Sequence, residues 1–169
     1  GTLDVNLMYI GAKNNVFNSH VEFFSKMKKG TLYGLTPLVN ETACGPDFYE
    51  EAKKSGHYIE LDPAMSMEEA KEYANKMDVL YTDTWVDMEF FNNPAYQKQK
   101  EETLAKMMPY QLNGDFTKDS KAIVFHDMPM HVGFEISQDV VDKNLDHILD
   151  EAENRRHAEK AVMYTLLNS

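Results

Sequence analysis

The sequence reads as an α/β domain of Rossmann-like, three-layer build, with a mainly parallel sheet covered by helices on both faces. Three observations predict this. From residue 5 to residue 82, short β-type runs alternate with capped or amphipathic helical segments, a pattern that requires parallel strands joined by right-handed crossovers. Gly11, Gly30, Pro46 and Gly56 stand at the junctions, where glycine and proline start and stop regular structure. Within 169 residues, an apolar content of 43% and an aromatic content of 11% suffice for one core without metal or disulfide staples. A single domain, 1–169, is expected.

The first strand is Val5-Asn-Leu-Met-Tyr-Ile10, ended by Gly11, and Gly1-Thr2 ahead of it reads as a cloning remnant or a cut linker. Asn14 or Asn15 caps a helix that places Phe17, Val21, Phe24 and Met27 on one face. Leu32–Thr36 is the second strand, Pro46 begins a helix running to Gly56, and His57–Leu61 is the third strand. Ser66-Met-Glu-Glu69 is a capping box opening a helix to Asn75, followed by the strand Val79–Thr82. A polar insertion, 92–119, carries a helix from Pro94 to Met107 and acts as packing over the sheet edge or as a mobile lid. Ala122–Phe125 is the last strand, and Glu153–Leu167 the final helix, with Ala158, Ala161, Val162, Thr165 and Leu166 on its apolar side. That face is expected to pack back onto the sheet, to fray, or to pair with a second copy.

Charge and composition exclude several classes of function. A net charge of −11 with pI near 4.9 opposes nucleic acid and anionic membranes, which need a basic surface. The single cysteine, Cys44, rules out an internal disulfide and cysteine-rich zinc sites, which points to the cytoplasm. No apolar run approaches the roughly 20 residues of a membrane span. Only two arginines occur, Arg155 and Arg156, so the chain is poorly equipped to clamp a phosphate.

In such a sheet ligands belong at the carboxyl ends of the strands. The stretch Lys121–Ile136 delivers His126, Asp127, Pro129, His131 and Glu135 to one such end, and Asp83-Thr-Trp-Val-Asp-Met-Glu89 delivers three carboxylates and the only tryptophan to another. Carboxylates there suit an ammonium or a metal ion, or are solvated loop charges. A metal is disfavoured because the two histidines of this stretch, His126 and His131, lack the i, i+4 spacing of helical zinc ligands, and Asp127 lies in a loop. The first turn, Gly11-Ala-Lys-Asn-Asn15, lacks the three glycines of a dinucleotide fingerprint, so no nucleotide cofactor is expected. Asn15 is placed either to donate to a ligand carboxylate or to cap the helix. No G-x-S-x-G elbow supports a serine triad.

Four blocks in order carry a resemblance: Asp78-Val-Leu-Tyr-Thr-Asp-Thr-Trp85; Pro109-Tyr-Gln-Leu-Asn113; His126-Asp-Met-Pro129 with Gly133-Phe-Glu-Ile136; and Asp150-Glu-Ala-Glu-Asn-Arg155 with His157-Ala-Glu-Lys-Ala161. With the Asn-Asn turn after the first strand, they resemble the second domain of the ornithine/aspartate carbamoyltransferase family, nearest the ornithine branch, over essentially the whole chain. The resemblance implies an enzyme of amino-acid metabolism, on the arginine branch. Its missing first domain would hold carbamoyl phosphate, and this half would hold a small amine or amino-acid acceptor. Trimer-based assembly through the first domain is implied, and no cofactor or metal. The family's S-T-R-T-R and H-P-x-Q motifs are absent. Substrate binding is then expected at Asn15, Asp83, Asp87 and Met88, and catalytic contact at His126, Asp127, Met128 and Pro129, which match the H-C-L-P loop.

Departures from the family pattern have physical consequences. Where the ornithine branch reads D-x-W-x-S-M-G, Asp87 replaces the serine and Glu89 the glycine; Asp127 replaces the loop cysteine, and Val132 the arginine of H-R-G-E-E. The added carboxylates favour a cationic acceptor over one bearing a second carboxylate. Loss of the arginine removes a donor to the carbamoyl oxygen, which is the sequence argument for the alternative, a non-catalytic amine- or amino-acid-binding module.

Overall fold

The computed structural model describes residues 4–168; Gly1-Thr2 lie outside them. In chain order the elements are β1 (Asn6–Lys13), α1 (Asn15–Ser25), β2 (Thr31–Val39), α2 (Pro46–Lys53), β3 (Tyr58–Glu60), α3 (Met67–Ala74), β4 (Val79–Thr82), α4 (Met88–Phe91), α5 (Gln97–Met107), β5 (Ile123–His126) and α6 (Gln138–Leu167), with 3-10 turns at Pro94–Tyr96 and Met108–Tyr110. The five strands lie in the order β3-β2-β1-β4-β5, every pair parallel. The chain leaves β1 toward β2 on one side and returns to β4 on the other, so the crevice above β1 and β4 is the topological switch point.

Period-2 alternation sorts the strand residues onto two covered faces. Leu7, Tyr9, Leu32, Tyr58, Val79 and Tyr81 pack with Phe17, Val21 and Phe24 of α1 and with Tyr49 and Ala52 of α2. Met8, Ile10, Leu35, Leu80 and Val124 face the other way, onto Ala70 and Ala74 of α3 and Val140, Val141 and Ile148 of α6. The three-layer α/β prediction therefore holds.

Gly11 does not end β1. The strand continues to Lys13, and the register with β2 shifts between Ile10 and Ala12, which pair with Leu35 and Leu38. The extra β2 residue falls at Thr36-Pro37, and a bulge is where a strand tolerates a proline that has no N–H to give. The final helix begins not at Glu153 but at Gln138: its first half carries the buried stripe Val140, Val141 and Ile148. Asn144 Oδ1 in that half accepts from the N–H of Val124 at 3.0 Å, satisfying a donor that edge strand β5 would otherwise leave open. From Ala152 to Asn168 every residue is exposed. This half stays helical without folding back onto the sheet, and at 1.5 Å per residue the whole 30-residue helix is about 45 Å long.

Gly34 makes the β2–α1 packing possible. A Cβ there would meet Phe17 Cζ at 2.6 Å and Tyr58 Cε2 at 3.3 Å, and Phe17 is fully buried. Gly34→Ala is expected to cost about 1–3 kcal/mol by overpacking, seen as a lower urea midpoint at unchanged slope. Combined with Phe17→Leu it should cost less than the sum of the two single losses; additive losses would show that the residues do not share this space.

His20 on α1 packs edge-on against Tyr81 at 4.3 Å, and burial lowers its imidazole from 6.5 to about 4. The unfolded chain takes up the proton near 6.5, the folded chain only near 4. Stability from the neutral ring is therefore complete above the unfolded value and is lost as pH falls through this window, by up to about 1.4 kcal/mol per unit. Urea titrations between pH 7 and 5 should show the loss, and His20→Gln should flatten it.

Candidate functional site

The switch-point crevice is built from three strand ends. After β1, Asn14 is buried and caps α1, its Oδ1 accepting from Phe17 N at 3.0 Å. Its Nδ2 donates to Asp83 Oδ2 at 2.8 Å, and the Tyr9 hydroxyl is shared between Asn14 Oδ1 at 3.3 Å and Ala12 O at 3.2 Å. After β4, Asp83 is 8% exposed, and its Oδ1 accepts from the N–H of Thr84 at 2.7 Å. Thr82 Oγ1 donates to Ile10 O at 2.8 Å and ties the ends of β4 and β1 together. A carboxylate so buried costs free energy unless donors surround it, and the donors here are an amide and a backbone N–H.

After β5, the turn His126–Pro129 includes Met128 in the left-handed region (φ 54°) and a cis Met128–Pro129 bond. His126 is fully buried. Its Nδ1 lies 3.0 Å from the N–H of Met128, so it accepts; the ring proton is then on Nε2, which donates to Glu135 Oε1 at 3.2 Å. The same Glu135 oxygen accepts from the N–H of His131, and Glu135 is 1% exposed. The Glu135 segment is held from the insertion by Leu112 N donating to Glu135 O at 3.0 Å and Gln111 Nε2 donating to Gly133 O at 3.0 Å. His131 lies flat on Phe91, centroids 3.6 Å apart at 9°.

The sequence-predicted residues separate into two groups. Asp83, Asp87 and Asp127 are brought within electrostatic reach of one another. Partial burial, then the charge of Asp83, raises Asp87 above the usual carboxyl range, with Glu89 and Glu41 adding to it. Asp127 is raised by the same two causes, opposed by His126 and Arg155. Asp87 also lines a cavity of about 140 Å³ with Trp85, Glu41, Phe90 and Lys100. Trp85 is 1% exposed, and its indole N–H has no hydrogen-bond partner among the described residues.

The other predicted residues differ in how they are presented, and Asp127 shares the exposure of its turn. Met88 and Met128 are exposed, as is Pro129, and the His126 ring is turned into the protein. Asn15 is exposed, its N–H donating to Thr42 Oγ1 at 3.3 Å; the asparagine that reaches Asp83 is Asn14. Sequence reasoning weighed Asn14 only as a cap. Its position directly before the helix was the available signal, because an N-cap side chain points back across the strand ends. Among the described residues no group of three His, Cys, Asp or Glu side chains is arranged to hold a metal ion.

Fold and site together define a doubly wound α/β domain whose switch-point crevice is acidic. The sequence matches the family model described as aspartate/ornithine carbamoyltransferase, Asp/Orn binding domain, over residues 3–166, and the chain belongs to that family. It is 34% identical over 170 residues to an ornithine carbamoyltransferase of Chlorobaculum tepidum, covering 98% of this chain and 46% of the relative. A Pyrococcus horikoshii ornithine carbamoyltransferase is also 34% identical, over 178 residues, covering 96% and 49%. Among solved structures, the anabolic ornithine carbamoyltransferase of Campylobacter jejuni superposes with a TM-score of 0.78 at 25% identity, covering 97% of this chain and 52% of that one. The Pyrococcus furiosus ornithine carbamoyltransferase gives 0.74 at 29%, covering 94% and 48%. The chain thus spans about half the length of the relatives it matches.

Asn14 and Asn15 are separable by mutation. Asn14→Ala removes a cap and one donor to a buried carboxylate, and is expected to cost about 1–3 kcal/mol. Asn15→Ala, at an exposed helix start, should stay within about 0.5 kcal/mol. Urea midpoints of the two variants check this; equal losses would remove the asymmetry.

Proposed function

We propose that this chain is the acceptor-binding half of a carbamoyltransferase, holding an amine or amino acid while a first domain presents carbamoyl phosphate. The observation that carries the reading is the buried Asp83, held by Asn14 and Thr84 at the switch point with Asp87 and Asp127 around it. These carboxylates attract an ammonium group by Coulomb sign. The two arginines are on the exposed half of α6 and are paired with glutamates: Arg155, whose charge reaches Asp127, donates to Glu159 at 3.0 Å, and Arg156 bonds Glu153. Phosphate is thereby left to the other half.

In the reaction the acceptor ammonium loses a proton to solvent, its neutral nitrogen bonds to the carbonyl carbon of carbamoyl phosphate, the carbon–oxygen bond to phosphate breaks, and the second nitrogen proton leaves with the phosphate. Asp83 holds and orients the amine, while the buried His126–Glu135 pair fixes the turn that carries Asp127 at the rim. The chemistry then rests on orientation and charge placement. One observation favours a second reading, an amine-binding module without turnover: Val132, exposed at 39%, stands where the family pattern has an arginine.

The test is carbamoyl transfer with L-ornithine and 1,4-diaminobutane as probe amines. This chain alone should release no phosphate from carbamoyl phosphate, whereas the protein carrying both halves should form a ureido product. Asp83→Asn in that protein should raise the KM for the amine at least tenfold. Turnover by the isolated chain, or binding of these amines without product by the two-domain protein, would overturn the catalytic reading.

A further inference from the structure

Helix α6 is hydrogen-bonded to the strands that carry the site through Glu151, while Arg155 one turn on reaches Asp127 by charge alone. Glu151 Oε2 accepts from the N–H of His126 at 3.0 Å, and its Oε1 accepts from Tyr81 Oη at 2.6 Å. Burial pushes this carboxyl above the usual range, while Tyr81 and the His126 N–H pull it back. Both partners lead into the crevice. His126 is where β5 ends and the turn bearing Asp127 begins. Tyr81 stacks on Tyr9 with centroids 5.8 Å apart at 14°, Tyr9 donates to Asn14, and Asn14 donates to Asp83. Glu151 is also the last residue of α6 that is not exposed, so it is the point where the helix leaves the domain.

A partly buried carboxylate is an expensive way to cap one strand-edge N–H, since the neutral Asn144 does the same for Val124 on the same helix. What the carboxylate adds is two acceptor oxygens, able to take donors from two strands at once. We propose that Glu151 is a positioning residue of the acceptor site: by holding the ends of β4 and β5 together, it sets Asp127 relative to Asp83. The proposal rests on the acceptor-site reading for its kinetic consequence, though not for its structural one.

Glu151→Gln keeps the shape but presents one acceptor and one donor where two donors arrive. Tyr81→Phe removes one bond and keeps the carboxylate, and Asn144→Ala is the control that removes an edge bond remote from the turn. Amide spectra of this chain should show Glu151→Gln moving the resonances of His126, Asp127 and the Asn14 side chain, with Tyr81→Phe moving them less. Asn144→Ala should lower the melting temperature and leave them in place. In the two-domain protein, Glu151→Gln should raise the KM for L-ornithine or 1,4-diaminobutane about tenfold, with the KM for carbamoyl phosphate unchanged. Shifts confined to His126, or a kinetic loss that Asn144→Ala reproduces in proportion to its stability, would overturn the proposal. If the wild-type protein carbamoylates neither amine, the acceptor-site reading falls and the amide spectra alone decide on Glu151. If Glu151→Gln does not fold, Tyr81→Phe decides by the same two readouts.

Discussion

A carboxylate buried with no cation paired to it among the described residues is the constraint on which the site depends. Asp83 is 8% exposed and is held by an amide N–H and a backbone N–H. That solution dictates the rest of the crevice. The amide must come from the residue that caps α1, so β1 has to deliver Asn14 at the level of β4's end, and the Thr82–Ile10 bond fixes that level. Thr84 must turn immediately after β4 to present its N–H. Fixed dipoles satisfy the hydrogen bonds of the carboxylate without cancelling its charge. Its negative field therefore persists in the crevice, where it acts on Asp87, Asp127 and the hydroxyls of Tyr9 and Tyr81.

Lysines near the crevice are committed elsewhere. Lys13, at the end of β1, pairs with Glu60, which also binds Lys53 at 2.6 Å, and Lys13 lies over the ring of Tyr49. Lys100, on the cavity wall, donates to Phe91 O at 2.8 Å and sits over the Phe91 ring. Glu60, a backbone carbonyl and two ring faces occupy cations that would otherwise neutralise the aspartates. The acidic crevice is thus a product of arrangement as much as of the chain's net charge, and an entering ammonium meets several carboxylates with few internal rivals.

Much of the fold was legible because its signals are local. The capping box at Ser66 forms as read, Ser66 and Glu69 bonding reciprocally, and the alternating apolar residues of β1 sort onto two faces. What was missed depends on partners distant in sequence. Gly11 looks like a strand end, yet pairing with β2 carries β1 to Lys13 because Pro37 places the bulge on the partner strand. The first half of α6 is recognisable only from Val140, Val141 and Ile148, and its cover of the β5 edge needs the whole sheet to be seen. In the crevice, the strand-end placement of Asp83 and Asp127 could be read from the sequence; the contacts that surround them could not. Nor could the parts played by Asn14 and Glu151, since a capping asparagine and a helical glutamate acquire a role only from what folds against them.

His126 shows how far the geometry constrains chemistry. With Nδ1 accepting from Met128 and Nε2 donating to Glu135, both ring nitrogens are used inside the turn, and the ring is fully buried. An imidazole in that state cannot take a proton from an acceptor without breaking a bond that shapes its own loop. Its contribution is to position, holding Met128 in a left-handed conformation that a residue with a side chain rarely adopts. With Val132 in place of a guanidinium, the chain's own charged groups at the crevice are almost all acidic. They can gather and orient an amine. Under the proposed carbamoyl transfer, stabilising the charge that develops on a carbamoyl oxygen and a departing phosphate would have to come from donors outside this half.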